Sequence, residues 1–370
     1  MHQFFACGPL ANWVALLALT IAFSAVLSAL QLPAALLLAA IVAAAIFSAR
    51  EGRVHLPAFA LVFAQAVIGG MIGRVLNGAV FIGIVHGGPL ILVAAASVIL
   101  ASCGLGLILA RARIFPAATA VWGSLPGAAT AMTLIAEAHG ADMRLVAFMQ
   151  YARVLVVALA ASLFAKIFAP GAFASAANPL NGAAPWSFEG AGLTCLLLVA
   201  AAETGRRLRL PAGALLGPLF GAALAQNFGF SAQLPAPVLA IAYVALGWSI
   251  GLHFTRKLLL HVFRALPAAL GAILALLACC GALGFVLARV AGIDQMTAFL
   301  AMSPGGLDAV AIIAASAKLD LGFIMAVQMA RFLLILAFGP RLASLFARLA
   351  GAKEVTSGRG AKNWSQDPLD

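Results

Sequence analysis

Two short interruptions of apolar segments hold the residues best suited to bind a small molecule. The first reads Ser124-Leu125-Pro126-Gly127-Ala128, and the second reads Ser303-Pro304-Gly305-Gly306. Proline removes a backbone donor and glycine adopts dihedral angles that other residues avoid, so each sequence breaks a helix. A helix that resumes after a break exposes free N–H groups, which attract an anionic group. We therefore predict a substrate site at the two breaks; a purely structural kink is the alternative.

Each break is followed in the sequence by a glutamine and an arginine three residues apart, Gln150 with Arg153 and Gln328 with Arg331. Residues three apart lie on one helix face, so each pair forms one polar patch within a long apolar segment. A guanidinium near the centre of a bilayer costs at least about 2 kcal/mol unless it is paired or hydrated. We predict that the arginines either bind a substrate anion or clamp the neighbouring broken segment through its carbonyl groups or Asp308.

Acidic residues near these segments have two predicted roles. Asp308 lies just after the second break, and Thr130 takes the corresponding place after the first. A carboxylate at this place could bind Na⁺ or H⁺ and couple transport to a gradient, or it could stay paired with Arg331. Asp142 and Asp320 precede long apolar segments, where capping of free N–H groups is the favoured role. The candidate substrate-binding residues are Ser124, Pro126, Gly127, Thr130, Gln150, Arg153, Ser303, Pro304, Gly305, Gly306, Asp308, Gln328 and Arg331.

Metal and cofactor chemistry has little support in the sequence. The six histidines are scattered, with no pair at a spacing of three or four residues, and the five cysteines show no CxxC spacing. A copper or iron monooxygenase would need clustered ligands of this kind. We therefore predict no metal, no cofactor and no enzyme activity.

The composition indicates a membrane protein. The 370 residues are 64% hydrophobic and 9% charged, with a mean hydropathy of +1.11. Apolar runs such as residues 11–30, 33–49, 89–110 and 145–165 are long enough to cross a hydrocarbon core of about 30 Å. The formal charge of +11 comes from short basic clusters between these runs, which disfavours a nucleic-acid partner. We predict a multi-pass protein of a bacterial-type inner (plasma) membrane, with the lipid bilayer as its partner.

An internal repeat relates the two halves of the chain. A shift of 178 residues places Leu32-Pro33-Ala34 on Leu210-Pro211-Ala212, Pro126-Gly127 on Pro304-Gly305, and Gln150 and Arg153 on Gln328 and Arg331. It also pairs Gly69-x-x-x-Gly73 with Gly247-x-x-x-Gly251, motifs that predict close helix packing, with a sliding surface between a scaffold and a moving domain as one option. The predicted division is a first repeat (1–169), a linker (170–186), a second repeat (187–350) and a disordered cytoplasmic tail (351–370).

Each repeat reads as five apolar helices with an interrupted element before the last. The predicted spans are 11–30, 33–49, 57–76, 88–110 and 142–168 with an element at 116–138, then 187–205, 211–227, 235–253, 265–288 and 320–348 with an element at 294–316. If each element crosses the membrane, eleven Lys and Arg lie on one side and nine on the other; if each re-enters, sixteen lie on one side and four on the other. The positive-inside rule favours the second arrangement. We predict an all-α fold of about ten transmembrane helices in two inverted repeats, each with a broken re-entrant hairpin, and both termini in the cytoplasm.

The order of these motifs resembles the AbrB-type duplicated membrane proteins over about residues 10–350. The resemblance rests on the paired LPA(A/G)xLL helices, the Leu-Pro helices that end in GxxxG, and the two breaks with a downstream QxxR. Members are commonly labelled ammonia monooxygenase or transcriptional regulator, labels that these residues do not support. The Leu-Pro and GxxxG helices also look like parts of the cation/proton antiporter and anion transporter group, which implies transport by analogy. The family pattern has an acidic residue near Ala131 and Ala309, and its absence here leaves Asp308 as the main acidic candidate.

We therefore predict a secondary transporter or permease of a small solute, with an anion as one substrate class, that works by alternating access. H⁺ or Na⁺ coupling and a homodimer are options that the sequence leaves open. The alternative is a membrane-embedded sensor or regulator that affects gene expression indirectly. A cytoplasmic output domain would favour that alternative, and the sequence shows only a short tail after Gly351.

Overall fold

The computed structural model describes residues 9–30, 32, 34–52, 54–74, 87–126, 136, 141–168, 187–208, 210, 213–228, 230, 233–316 and 319–350. The predicted linker and tail, Gly127 and Thr130 lie outside these residues. All regular secondary structure in the described ranges is helical, which confirms the all-α prediction. The first repeat contains α1 (Pro9–Ala29), α2 (Ala35–Ala49), α3 (Ala58–Gly73), α4 (Gly88–Arg111), α5 (Ala117–Ser124) and α6 (Met143–Phe168). The second contains α7 (Phe188–Arg207), α8 (Gly213–Asn227), α9 (Ala236–Gly251), α10 (Arg256–Val262), α11 (Leu266–Ala291), α12 (Gln295–Met302), α13 (Leu307–Ser316) and α14 (Leu321–Leu349).

Several of these helices have the length and composition of membrane spans. Four of the described helices qualify alone: α1 over Leu10–Ala29, α4, α6 over Met143–Phe164, and α11. Two bent pairs raise the number to six, namely α9 with α10 at 48° and the two parts of α14 at 41°. Helices α2 and α3 are apolar but have only 15 and 16 residues, short of the roughly 20 that a straight span needs. The described residues thus contain the apolar helices of a multi-pass membrane protein, and the count of ten spans stays a prediction.

The first three helices of each repeat pack together in what we call the first bundle (α1–α3 with α7–α9). Helix α3 packs most extensively on α8, and the two glycines of its GxxxG motif make the contact. A Cβ atom on Gly69 would meet the backbone oxygen of Leu215, and one on Gly73 would meet the backbone oxygen of Leu219. Only glycine permits so close an approach of two helix backbones.

Helix α9 makes the equivalent contact with α2 in the first repeat. A Cβ atom on Gly247 would meet the Leu37 oxygen, and one on Gly251 would meet the Ile41 oxygen. Leu37 and Ile41 are the residues that the 178-residue shift places on the α8 partners of the other motif. The close packing predicted for both GxxxG motifs is confirmed, and each motif packs on the other repeat rather than on its own.

Apart from the short α10, the remaining helices form the second bundle, which comprises α4–α6 and α11–α14. Within it, α4 packs on α5 and α11 packs on α12. Gly106 lies against the backbone of Val121 in the first pair, and Gly284 lies against the backbone of Phe299 in the second. These positions also differ by 178 residues, so the repeat symmetry extends to the broken helices.

The long helices α6 and α14 begin at side-chain caps. The Asp142 Oδ1 accepts hydrogen bonds from the backbone N–H groups of Arg144 at 2.9 Å and Leu145 at 3.1 Å. The Asp320 Oδ1 accepts one from the N–H of Phe323 at 3.0 Å. The capping role predicted for both aspartates is confirmed, because each satisfies donors that lack a helical partner.

In the part of the chain that the structure describes, helices of different bundles approach each other less closely than helices of the same bundle, mainly at α10 on α6, α13 on α3 and α2 on α6. Buried apolar side chains of both bundles nevertheless belong to one continuous core cluster. Tyr151 of α6 stacks on His253, with ring centroids 4.0 Å apart. Phe148 meets Phe254 edge to face at 6.2 Å. The sequence analysis did not predict α10, which follows α9 after a break and lies where the two bundles meet.

Candidate functional site

At each predicted break a short helix ends in the interior of the second bundle. Helix α5 ends at Ser124, where Leu125 turns extended with φ −66° and ψ 123°. Helix α12 ends at Met302, and Ser303 turns extended with φ −61° and ψ 137°. In each case the residue before a proline leaves the helical conformation, as the proline ring requires. The prolines themselves, Pro126 and Pro304, are buried.

Gln150 and Arg153 of α6 form the first clamp, which binds the carbonyl groups at the end of α5. The Gln150 Nε2 donates to the carbonyl oxygens of Trp122 at 3.2 Å and Leu125 at 2.9 Å. The Arg153 Nη1 donates to those of Leu125 at 3.2 Å and Ser124 at 3.4 Å. The Arg153 Nη2 donates to the Gln150 Oε1 at 2.6 Å, which joins the two side chains into one unit.

Gln328 and Arg331 of α14 form the second clamp at the end of α12. The Gln328 Nε2 donates to the carbonyl oxygens of Leu300 at 2.9 Å and Ser303 at 3.2 Å. The Arg331 Nη1 donates to that of Ser303 at 2.6 Å, and its Nη2 donates to that of Gly305 at 3.0 Å. The same Nη2 donates to the Gln328 Oε1 at 2.6 Å.

The two clamps bind equivalent carbonyl groups. Leu300 and Ser303 are the residues that the 178-residue shift places on Trp122 and Leu125. The last carbonyls of a helix have no helical partner and carry partial negative charge, so a guanidinium there both satisfies and complements them. Of the two partners predicted for a structural clamp, the arginines bind the backbone carbonyl groups. The role in substrate binding stays a prediction.

One N–H donor of each arginine, at Nε, makes no hydrogen bond to a described residue. Arg153 and Arg331 are only 3% and 5% exposed, and the Nε atom of each is buried without a hydrogen-bond partner among the described residues. An unsatisfied buried donor costs about 1–3 kcal/mol, and more when it is charged. The two clamps therefore satisfy the carbonyls of the breaks without satisfying the arginines themselves.

The second break lies beside the first clamp. Gly305 packs on Val157 of α6, and Gly306 packs on Val154, the neighbour of Arg153. The second break therefore lies next to the helix that carries the first clamp.

The carboxylate groups that the structure describes lie away from the two clamps. Asp142, Asp294 and Asp320 cap helices, Glu51 pairs with Arg256, and Glu203 pairs with two arginines of α7. Glu189 is an exposed residue in the first turn of α7. Asp308 lies in the first turn of α13, and its side chain is outside the described set. Within that set, no carboxylate pairs with Arg153 or Arg331.

Comparison with known proteins bears on these motifs. The family model "Transition state regulatory protein AbrB" matches residues 36–347, a range that includes both breaks and both clamps. The chain belongs to the AbrB family. The AbrB-family relative "Putative regulator AbrB" of Escherichia coli (strain K12) is 42% identical over 343 residues, which is 92% of this chain and 98% of the relative. "Uncharacterized protein YhjN" of Bacillus subtilis (strain 168) is 28% identical over 250 residues, 64% of this chain and 65% of the relative.

Membership of the AbrB family confirms the resemblance drawn from the motifs. Sequence reasoning missed Gly106 and Gly284, although the repeat pairs them, because helix glycines are common in an apolar chain. The contact of each glycine with the backbone of another helix follows from tertiary packing, which leaves no signal in the local sequence.

Two apolar grooves lie away from the clamps of this AbrB-family chain. One of about 690 Å³ lies on the first bundle between α3, α7 and α9, with Phe59 and Ile241 in its wall and Arg206 at its rim. The other, of about 320 Å³, lies between α6, α11 and α12 and includes Phe164 and Phe299. Neither groove includes a residue of the predicted substrate site.

Proposed function

We propose that this AbrB-family protein is a secondary transporter or permease that moves a small solute by alternating access. One observation carries the proposal: two short helices end before a proline at equivalent places in the interior, and a Gln–Arg clamp from a long helix binds the carbonyl groups of each end. Open backbone at membrane depth is tolerated only where protein buries it or where it lines a cavity. Broken helices of this kind form the midplane binding sites of many secondary transporters.

The division into two bundles supports a moving part. The breaks and clamps all belong to the second bundle, whereas the tight glycine contacts between repeats hold the first bundle together. Helices of different bundles pack less closely than helices of the same bundle, which permits relative motion more readily than uniform close packing does. We therefore assign the first bundle as the scaffold and the second as the part that carries the substrate.

Contacts at one end of the molecule support the re-entrant arrangement. The backbone N–H of Asp142, which opens α6, donates to the Thr119 Oγ1 in the first turn of α5 at 3.0 Å. The chain that leaves this end in α5 is therefore back at the same end when α6 begins. A segment that returns to its starting side is what inverted repeats with re-entrant hairpins require.

The same end brings together residues that the charge bias assigns to the cytoplasm. The Arg256 Nη1 donates to the Glu51 Oε1 at 2.8 Å, and the His261 Nε2 lies 3.1 Å from the Asp142 Oδ2. These pairs join the end of α2 and the beginning of α6 to α10. The contacts support the proposed orientation, in which both termini lie in the cytoplasm of a bacterial-type inner membrane.

Topology reporters test this orientation. Fusions after Arg113 and after Arg209 are both expected to report cytoplasm, because re-entry of the first broken element puts these two positions on the same side. A fusion after Lys166 is the matched control and is expected to report the opposite side. A periplasmic signal after Arg113 or Arg209 would contradict the orientation.

Cysteine labelling tests the inverted hairpins. In a background freed of native cysteines, Ser124→Cys and Ser303→Cys are expected to react with a membrane-impermeant thiol reagent from opposite sides. Inverted hairpins enter from opposite faces, and each serine lies at the tip of its broken helix. Both serines are buried in this structure, so the reagent reaches each one only when alternating access opens its side of the protein. Ser162→Cys, which is also buried but lies in α6 away from both breaks, is the control and is expected to stay unlabelled. Equal labelling of both tip positions from one face only would contradict inverted re-entry.

Transport itself is tested on the purified protein. A thermal-shift screen against carboxylates, amino acids, amines and inorganic anions detects ligands, since a bound ligand raises apparent stability by mass action. Flux of each stabilising solute into proteoliposomes then separates transport from binding alone. The proposal fails if no solute both stabilises the protein and crosses the membrane.

A regulatory function is the second candidate, and the name of the Escherichia coli relative is the observation that favours it. A membrane transporter changes a metabolite pool and can alter gene expression without contacting DNA. The two candidates differ in one measurement. A sensor binds its ligand without flux in proteoliposomes, whereas a transporter moves it.

A further inference from the structure

The larger of the two apolar grooves lies on the surface of the first bundle and has a volume of about 690 Å³. Helix α3 packs on both α7 and α9, whereas these two flanking helices do not pack closely on each other among the described residues. The groove follows α3 between them. Its wall is mostly apolar, and the exposed side chains of the wall include Phe59, Val199 and Ile241. On a multi-pass membrane protein, such a surface is covered by acyl chains or by another protein.

The groove extends along about half of the membrane-spanning length. One end lies at Arg206, in the last turn of α7, and at the first residues of α3. The other end reaches Ile241 and Ala245, in the middle of α9. Along α7 the wall runs from Val199 to Arg206, which is about 10 Å of helix. Half of a hydrocarbon core is about 15 Å thick, so the groove has the depth of one leaflet.

The polar end of the groove, formed by Glu203, Arg206 and Arg207, has a net positive charge. The Glu203 carboxylate accepts hydrogen bonds from the Arg206 Nη1 at 3.1 Å and from the Arg207 Nε at 3.0 Å. A guanidinium has five N–H donors, so each arginine retains donors that Glu203 does not take. Both arginines are exposed, and the segment 204–212 contains a further arginine and no acidic residue. One carboxylate therefore balances only one of the two guanidinium groups that it binds.

An anionic phospholipid matches both the apolar wall and the charge of the polar end. Guanidinium groups bind phosphate oxygens through paired N–H donors, and basic residues at the membrane surface attract anionic headgroups. A second copy of the chain matches less well. A two-fold dimer in a membrane brings the same patch of both copies together, which would place like charges opposite each other at the polar end. A zwitterionic lipid has no net charge to balance that end.

We propose that this groove binds an anionic phospholipid, whose phosphate accepts hydrogen bonds from Arg206 and Arg207 and whose acyl chain lies along α3. Glu203 orients the two guanidinium groups. The site belongs to the first bundle and lies away from both clamps, so the proposal does not depend on transport. A transporter and a sensor would both retain it.

Native mass spectrometry of the purified full chain in detergent measures this binding. Phosphatidylglycerol, phosphatidylethanolamine and phosphatidylcholine with the same acyl chains are each titrated into lipid-depleted protein. We expect a saturable one-to-one adduct with phosphatidylglycerol. Its affinity should exceed that of either zwitterionic lipid at least about tenfold, because a hydrogen bond between charged groups without a compensating repulsion is worth that factor.

Variants at both ends of the groove locate the lipid. Arg206→Gln should weaken phosphatidylglycerol binding at least about tenfold, whereas Glu203→Gln removes the competing carboxylate and should strengthen binding. Val199→Trp fills the apolar part of the groove and should also weaken binding. The matched controls are Arg264→Gln, at an exposed arginine outside the groove, and Leu197→Trp, at an exposed residue on the opposite face of α7. Both controls should bind the lipid as the wild type does.

The other outcomes overturn the proposal. Equal binding of phosphatidylglycerol by the wild type, Arg206→Gln and Val199→Trp would show that the lipid binds elsewhere. Equal affinity for the three lipids, or the absence of a saturable adduct, would reject an anionic phospholipid. A wild-type dimer that Val199→Trp converts to a monomer, with no lipid adduct, would show that a second copy covers the groove. If Val199→Trp does not fold, the comparison of Arg206→Gln with Arg264→Gln decides alone.

Discussion

Arg331→Gln is expected to abolish ligand binding and uptake, whereas Arg153→Gln is expected to leave measurable activity. The repeat makes the two arginines equivalent by position, but the structure shows that they are not equally bound. Arg331 donates to Ser303 at 2.6 Å and Gly305 at 3.0 Å, while the carbonyl contacts of Arg153 are 3.2 and 3.4 Å. The second break also has Gly305-Gly306 and Asp308 where the first has Gly127-Ala128 and Thr130, so the half with Arg331 has more open backbone and the acidic candidate. Losing a hydrogen bond to a charged ligand group costs about 1.5–3 kcal/mol, or at least about tenfold in affinity.

Isothermal titration with a stabilising solute and flux into proteoliposomes measure this difference. Arg289→Gln is the control, because Arg289 is exposed in the last turn of α11 and its loss should leave both readouts unchanged. Full activity of Arg331→Gln would refute the proposed asymmetry.

A double variant distinguishes the loss of the ligand site from a failure to fold. If Arg331→Gln misfolds because Asp308 is left as an uncompensated buried charge, the cost is about 3–5 kcal/mol. Adding Asp308→Asn should then restore a monodisperse protein. Recovery of folding without recovery of binding would show that Arg331 serves both the fold and the ligand, while recovery of both would assign it to the fold alone.

The sequence predicted the breaks and clamps well because their signals are local or repeated. Proline and glycine interrupt an apolar run in a way that only a broken helix explains, and the 178-residue shift pairs Gln150 and Arg153 with Gln328 and Arg331. The carbonyl partners of the clamps were harder to assign. Every residue has a carbonyl group, so a side chain that binds backbone leaves no partner residue to recognise in the sequence.

Long-range arrangement was the other part that the sequence could not supply. The GxxxG motifs predicted close packing, but nothing local indicates that Gly69 packs on α8 of the other repeat. The contact of Gly305 and Gly306 with α6 likewise depends on how the second broken element crosses α6. Periodicity identifies which face of a helix is apolar, whereas tertiary packing selects the helix that covers that face.

Gly73→Leu and Gly251→Leu are each expected to lower the free energy of unfolding by about 3 kcal/mol or more. Overpacking a well-packed interior usually costs about 1–3 kcal/mol, and here the added atoms meet backbone that cannot change rotamer. A Cβ atom on Gly73 would meet the Leu219 oxygen and the Ala222 side chain, and one on Gly251 would meet the Ile41 oxygen. Because these contacts join the two repeats, the first bundle should open where they are lost.

Gly271→Leu is the matched control for these variants. Gly271 also lies within a helix, α11, but it is exposed and a Cβ atom there would have no neighbour within 4 Å. Leucine favours helix over glycine by somewhat less than about 1 kcal/mol, so this variant should be neutral or slightly more stable. The midpoint of unfolding in mixed detergent micelles measures all three variants. Equal midpoints for Gly73→Leu, Gly251→Leu and Gly271→Leu would mean that α3 and α9 do not approach α8 and α2 as closely as the backbone geometry requires. The first bundle would then lack the rigid contact on which its assignment as the scaffold depends.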